Sequence, residues 1–377
     1  MIHLFNKRTA PRMIKKILVS ILALSLFSCN SGTEATGDTW IGGEIVNPKT
    51  NFIVLKRNGR LIDTVQLQDD NTFHYKFQNP ETGLYSFSHN EYQMFLLEPG
   101  DSLMLRVNTM DFDESLHYSG EGAKENNFLI ELFLENEKEV NALPRSYALS
   151  PIKFQKIIDS LEKAHQKKYQ KFIAINDPSE AFRNIVEANY DYNRNMKKEM
   201  YTLVFRKNKE RVEKVSFPKG FYDYHEKVNL ADKELGAYYP YINFLDIYLD
   251  NLTYTTLNSP KIPHRNSFTL NYNKIKLIDS LVTNDSLKNL LMRRSVRRYL
   301  NTAKNADKER EMLALFKQLN SNKHYTSEIE ELAQATIKLV PGEKVPHVRL
   351  VNTENVAKDI HEIIKKPSVL YFWSLES

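Results

Sequence analysis

From Trp40 to about Tyr118 short apolar runs alternate with polar residues, and turn signals recur roughly every 8–12 residues, the pattern of a sandwich or barrel. The alternation predicts strands over Trp40–Val46, Phe52–Lys56, Leu61–Leu67, Thr72–Phe77, Leu84–Ser88, Gln93–Leu97, Ser102–Val107 and Ser115–Tyr118. Asn58-Gly59 predicts a tight hairpin, because both residues tolerate positive φ. Asn47-Pro48 and Pro99-Gly100-Asp101 are further turn signals. From about Ala123 to Leu339 the period becomes helical: Phe128, Leu129, Leu132 and Phe133 form the first stripe. Ser150-Pro151 places a capping residue before a proline at the first helical position, predicting a helix over 152–175. Pro178-Ser179 restarts a long helix to about Lys207. Shorter helices are predicted at 230–236, 239–253, 271–283, 285–303, 306–320 and 326–339. From Val340 the pattern changes again, ending in the apolar run Val369–Phe372, which has the pattern of a strand buried on both faces but, with little sheet to bury against, is expected to dock poorly or fray.

The fold class expected is α+β and multidomain. It comprises an antiparallel β-sandwich or barrel over 39–120, a helical region over 123–339 and an incomplete α/β segment over 340–377. The 377 residues agree with two or three domains. Only 12 glycines against 20 tyrosines and 20 phenylalanines fit long helices with aromatic cores.

Charge first suggests a basic protein, at +5. The excess is confined to Lys7, Arg8, Arg12, Lys15 and Lys16, within an acid-free stretch over 1–28. Taking those five from the 52 basic residues leaves 47, equal to the 47 acidic ones. No overall charge therefore draws the remainder to nucleic acid or to an anionic membrane.

Met13-Ile14-Lys15-Lys16 reads as a signal n-region, and 17–27 as its apolar core. That core is shorter than the roughly 20 residues a membrane-spanning helix needs. Leu26-Phe27-Ser28-Cys29 then resembles a bacterial lipobox, with a branched apolar residue at −3 and a small one at −1. The resemblance implies that Cys29 is lipidated and becomes the mature N-terminus, tying the protein to a membrane. Two or three acyl chains anchor firmly, at about 0.8 kcal/mol per buried CH₂. Residues 30–38 read as a flexible polar tether. Asn30 is not the Asp that often retains lipoproteins in the inner membrane, so the outer membrane facing the periplasm is expected.

Val369-Leu370-Tyr371-Phe372-Trp373 resembles the central strand of thioredoxin-like periplasmic disulfide reductases of the TlpA/ResA type, "V-L-x-F-W-A-x-W-C-x-x-C". Gly342 to Leu350 is similar to that family's entry "G-x-x-x-P-x-F-x-L", with Pro346 matching and Val348 in place of Phe. Ser377 falls on the first cysteine. The match covers about 38 residues and implies a C-terminally truncated or diverged member of a thiol–disulfide oxidoreductase family. Phe95 to Ser102 and Ser119-Gly120-Glu121-Gly122 resemble a β-domain of unknown function that precedes such domains in Bacteroidetes lipoproteins. The resemblance brings with it no catalytic residues there.

The only cysteine is Cys29. Disulfide exchange needs a thiolate and usually a resolving thiol. A serine hydroxyl at 377 replaces neither, so no catalytic residue is assigned and the chain as given is expected to be redox-inactive. The alternative is a non-enzymatic periplasmic module for a peptide or protein partner. None of the ten histidines forms H-x-x-x-H or H-E-x-x-H, so neither metal nor other cofactor is expected. Arg293, Arg294, Arg297 and Arg298, with Lys288, read as a solvated basic face rather than a nucleic-acid site. Glu98 and Asp101 are assigned to turn chemistry. Tyr238-Tyr239-Pro240-Tyr241, with Phe221, Tyr222 and Tyr224, reads as helix packing ahead of a glycan or peptide groove.

Overall fold

The computed structural model describes residues 38–207, 216–257, 263–337, 344–352 and 356–371. The described residues form two compact units: those within 38–134 with 178–182, and those within 135–177 with 183–371.

The first unit holds eight strands: β1 (Trp40–Val46), β2 (Phe52–Arg57), β3 (Arg60–Gln66), β4 (Thr72–Lys76), β5 (Gly83–His89), β6 (Glu91–Leu97), β7 (Ser102–Asn108) and β8 (His117–Glu121). All eight expected strands are present, with ends shifted by up to three residues. A one-turn helix, α1 (Phe112–Ser115), precedes β8, and α2 (Ala123–Ala142) follows it, its residues from Glu135 on belonging to the second unit. The strands form two four-stranded sheets, β4-β1-β7-β8 and β3-β2-β5-β6. The second sheet is antiparallel throughout. The first is not: β1 runs parallel to β7, with Trp40 opposite Ser102 and Val46 opposite Asn108. The antiparallel expectation is corrected at this pair. Short turns join sequential strands antiparallel, whereas β1 and β7 are far apart in sequence and no local turn sets their direction.

Alternation works as the pattern predicts. Leu103, Leu105 and Val107 of β7 are buried, while Met104 and Arg106 face out. They join Ile41, Ile45, Ile53, Phe87, Phe95 and Tyr118 in one core drawn from both sheets. Each such side chain contributes about 1.5–3 kcal/mol by leaving water. Asn58 and Gly59 have φ of 48° and 75° and turn β2 into β3.

The second unit is mainly helical: α3 (Pro151–Asn176), α4 (Glu180–Arg206), α5 (Tyr239–Leu257), α6 (Phe268–Leu281), α7 (Asp285–Leu300), α8 (Ala306–Leu319) and α9 (Lys323–Ile337). Ser150 caps α3 by position, with extended backbone, but its side chain makes no capping bond. Asp177 ends α3 in the left-handed conformation at φ 41°. The helix expected at 230–236 does not form. Asn229 Oδ1 accepts the Ala231 N–H at 2.9 Å and Asp232 Oδ1 the Leu235 N–H at 2.9 Å. These side chains take amides that a helix would have used. Leu230 and Leu235 still pack against the core of α5 to α9, which is what gave the segment its helical pattern.

Two aspartates a turn apart on α5, Asp246 and Asp250, are buried beside Lys274 of α6. Lys274 Nζ lies 2.6 Å from Asp246 Oδ1 and 2.5 Å from Asp250 Oδ1. Arg265 bonds both aspartates, and so does Arg298 of α7. Burial alone would raise the Asp246 carboxyl; Lys274 and Arg298 outweigh it and hold it well below the usual range. Arg298 is thus not the solvated residue expected. Arg293 and Arg297 pair with Glu328 of α9, Arg294 donates to Asn243, and Lys288 lies 3.5 Å from Asp279 and Asp285. The expected aromatic packing is present. Phe221, Tyr238 and Tyr241 are buried, and Tyr238 accepts from Asn189 Nδ2 at 2.6 Å.

Beyond α9 an antiparallel pair, β9 (Arg349–Val351) and β10 (Ala357–Asp359), leads into the one-turn helix α10 (Ile360–Ile363). Asp359 caps α10, accepting the His361 N–H at 2.8 Å. The small hairpin was not foreseen from the sequence. Val369, Leu370 and Tyr371 form no strand, and Val369 is 94% exposed. The strand pattern is therefore corrected for these three residues, while their exposure agrees with the expectation that the run docks poorly.

Candidate functional site

Polar and charged side chains of α3 and α4 face one another in the helical unit. On α3, Ile158, Leu161, Glu162, His165, Tyr169 and Ile173 recur every three or four residues and share one face. Arg183, Glu187, Tyr190, Asp191, Arg194 and Lys197 of α4 do the same. Between the two stripes lies a cavity of about 400 Å³, with Glu139 of α2 in its lining.

Glu139 organises one end of it. Its Oε1 lies 2.6 Å from His165 Nε2 and its Oε2 lies 3.0 Å from Lys197 Nζ. Lys197 is buried and donates also to Asn136 Oδ1 at 2.5 Å. Burial pulls the Lys197 pKa down, and Glu139 opposes that pull without cancelling it. For Glu139 burial acts upward, but the His165 hydrogen bond and the Lys197 charge together hold the carboxyl below its ordinary value. The Tyr190 ring stacks on His165, with centroids 4.8 Å apart. Burial raises the Tyr190 pKa, so this phenol stays protonated. Its buried hydroxyl has no hydrogen-bond partner among the described residues.

A second cavity, of about 600 Å³, shares Glu162, Glu187, Asp191 and Arg194 with the first. Arg194 bridges Glu162 at 2.8 Å and Asp191 at 2.6 Å, so this bridge is the wall between them. Asn195 Oδ1 and Gln155 Oε1 are buried and also unpartnered among the described residues, and both residues line the second cavity. Lys198 sits there over the rings of Phe221 and Tyr224, 4.5 Å and 4.8 Å from their centroids. Burial, with Arg194 nearby, pulls its pKa down to about 8.

A third cavity, of about 300 Å³, is lined by Glu199, His225 and Tyr248. Glu199 is fully buried and takes hydrogen bonds from Tyr224 and Asn251, each at 2.6 Å, and lies 2.6 Å from His225 Nε2. These partners saturate the carboxylate and tie the segment after α4 to α4 and α5, which is a structural role.

The residues singled out from sequence lie elsewhere. Leu26, Phe27, Ser28, Cys29, Phe372, Trp373 and Ser377 lie outside the described residues. Pro346 is half-buried just before β9. Asp101 is buried rather than exposed; burial pushes its carboxyl up to about 7, opposed by the hydrogen bond from the Glu98 N–H at 2.8 Å. No helical histidine pair was found in the sequence, but His347, Asp359 and His361, distant from any such motif, have ligand atoms within 4.8 Å of one another. A spacing rule for one helix cannot see them, because a hairpin brings them together. Sequence reasoning also passed over the α3–α4 stripe. Its signal was present as His165, Tyr169, Tyr190, Arg194 and Lys197 at helical spacing, hidden by a search for apolar stripes.

The chain matches no protein-family model, no curated protein and no solved structure.

Proposed function

We propose that this chain is a lipid-anchored envelope protein that binds an extended polypeptide segment between α3 and α4. The observation that carries the reading is Tyr190, a residue of that cavity's lining whose buried hydroxyl has no hydrogen-bond partner among the described residues. A buried hydroxyl left without a partner costs about 1–3 kcal/mol, so a site retaining one is suited to a ligand that supplies the missing bond. The cavity's form fits a peptide. Fifteen helical residues rise about 22 Å, which matches about six residues of extended chain. Ile158, Leu161 and Ile173 offer apolar contact, while Glu187 and Arg194 offer charge of both signs.

The anchor rests on Leu26-Phe27-Ser28-Cys29. The ancestry we propose is the thioredoxin-like disulfide-reductase lipoproteins, with the β-sandwich and helical region as the binding part. Within these 377 residues the only thiol is that of Cys29, so binding rather than disulfide exchange is the activity assigned.

Selection of a displayed random hexapeptide library on the full-length chain tests this. Recovered peptides should lose at least about tenfold in affinity with Arg194→Ala or Leu161→Ala, since truncating a central contact costs more than 1 kcal/mol. Peptides indifferent to both substitutions, or no enrichment, would remove the groove as the binding site.

A further inference from the structure

We infer that His347, Asp359 and His361 form an open site for a borderline divalent transition metal, of which Zn²⁺ is the representative probe. The three residues come from the two ends of the β9–β10 pair. His347 stands two residues before β9, Asp359 ends β10 and His361 lies in the first turn of α10. The pairing of Asp359 with Arg349, together with the Ile360 N–H to Val348 carbonyl bond at 2.9 Å, holds these ends side by side. Buried Ile360 anchors the turn between the two other ligands.

Each group is oriented for the task. A backbone carbonyl only accepts, so the 2.8 Å contact between His361 Nε2 and the Val345 carbonyl places the proton on Nε2. The neutral ring then presents the Nδ1 lone pair, and the carbonyl serves as the outer partner that metal-ligating histidines usually have. Asp359 uses Oδ1 to cap α10, which leaves Oδ2 to face His347. That Oδ2 lies 3.0 Å from His347 Nδ1. Two ligands about 2.1 Å from one ion, at the tetrahedral angle, stand about 3.4 Å apart, close to this separation. The 4.8 Å limit on the three ligand atoms exceeds the roughly 4.2 Å that one ion allows. Rotation of the His347 side chain, 84% exposed, can close the difference. The His347 Nδ1 proton, now shared with Asp359, would pass to solvent or to Nε2 as the metal takes its place.

Two imidazoles and one carboxylate suit Zn²⁺, Ni²⁺ or Cu²⁺ rather than Ca²⁺ or Mg²⁺, which take oxygen ligands. Three protein ligands leave a coordination position for water or an exogenous group. Competition for Zn²⁺ between a chromophoric chelator and the untagged full-length chain in detergent tests the site. One equivalent should bind. His347→Ala and His361→Ala should each weaken it by at least about tenfold. Asp359→Asn should weaken it too while keeping the α10 cap, since Asn caps as well as Asp. Absence of stoichiometric binding, or a Zn²⁺ affinity unchanged by these substitutions, would overturn the assignment.

Discussion

Gly120 and Gly122 show most plainly how single residues shape the β unit. A Cβ on Gly120, at φ 93°, would sit 2.0 Å from the Ser102 carbonyl oxygen. One on Gly122, at φ 84°, would sit 2.7 Å from the Asp101 carboxyl carbon. These contacts give a physical reason for two stretches singled out in the sequence: the turn Glu98–Ser102 and the exit Ser119–Gly122 are pressed together across the β7–β8 pair. Gly120→Ala should cost about 3 kcal/mol or more in denaturant unfolding, combining strain with a backbone clash. Asp101 adds a pH dependence. Its folded pKa, about 7, lies above the unfolded value of about 3.9, so the folded state holds a proton that the unfolded state loses between them. Its contribution is therefore present in full below pH 4 and lost as pH rises toward 7, by an amount on the order of 2–4 kcal/mol. Asp101→Asn should flatten that slope in unfolding measured from pH 4 to 8. Tyr190→Phe should leave stability unchanged or raise it by about 1 kcal/mol, because it removes an unpartnered polar atom, while weakening peptide binding. A loss of stability would mean that the hydroxyl is bonded in the folded protein.

At the scale of elements, the strands were legible because one buried face enforces a period of two, as in β7. The direction of β1 against β7 was not, since a parallel pairing between distant strands leaves no local mark. Leu230 and Leu235 misled for a different reason: apolar spacing reports burial, while Asn229 and Asp232 decide the backbone through their own hydrogen bonds. The charged staple across α5, α6 and α7 was also missed, although Asp246 and Asp250, four apart and the only charged residues on α5, announce a buried partner. Lys274→Met should destabilise the helical unit by about 3–5 kcal/mol in chemical denaturation, because it leaves buried carboxylates short of a counter-charge. An effect below about 1 kcal/mol would mean that Arg265 and Arg298 suffice.

Taken as a whole molecule, the α+β class and its order, strands first and helices after, were readable from the change of period near Ala123. The cavity between α3 and α4 was not, because it depends on two helices facing each other. The proposed address makes a separate prediction. Cys29→Ser should abolish incorporation of an alkyne-tagged palmitate and shift the protein from the membrane to the soluble fraction. Retention of label would place the acyl chain elsewhere. The chain should also fail to accelerate insulin reduction by dithiothreitol, having no thiol but Cys29.

The central claim is that α3 and α4 hold a polypeptide segment, and amide hydrogen exchange of the full-length chain with and without a selected hexapeptide tests it most directly. The account predicts added protection confined to 158–173 and 183–197, and none in the β unit. Protection in β1 to β8 alone, or at α5 to α9 with the groove unchanged, would contradict it.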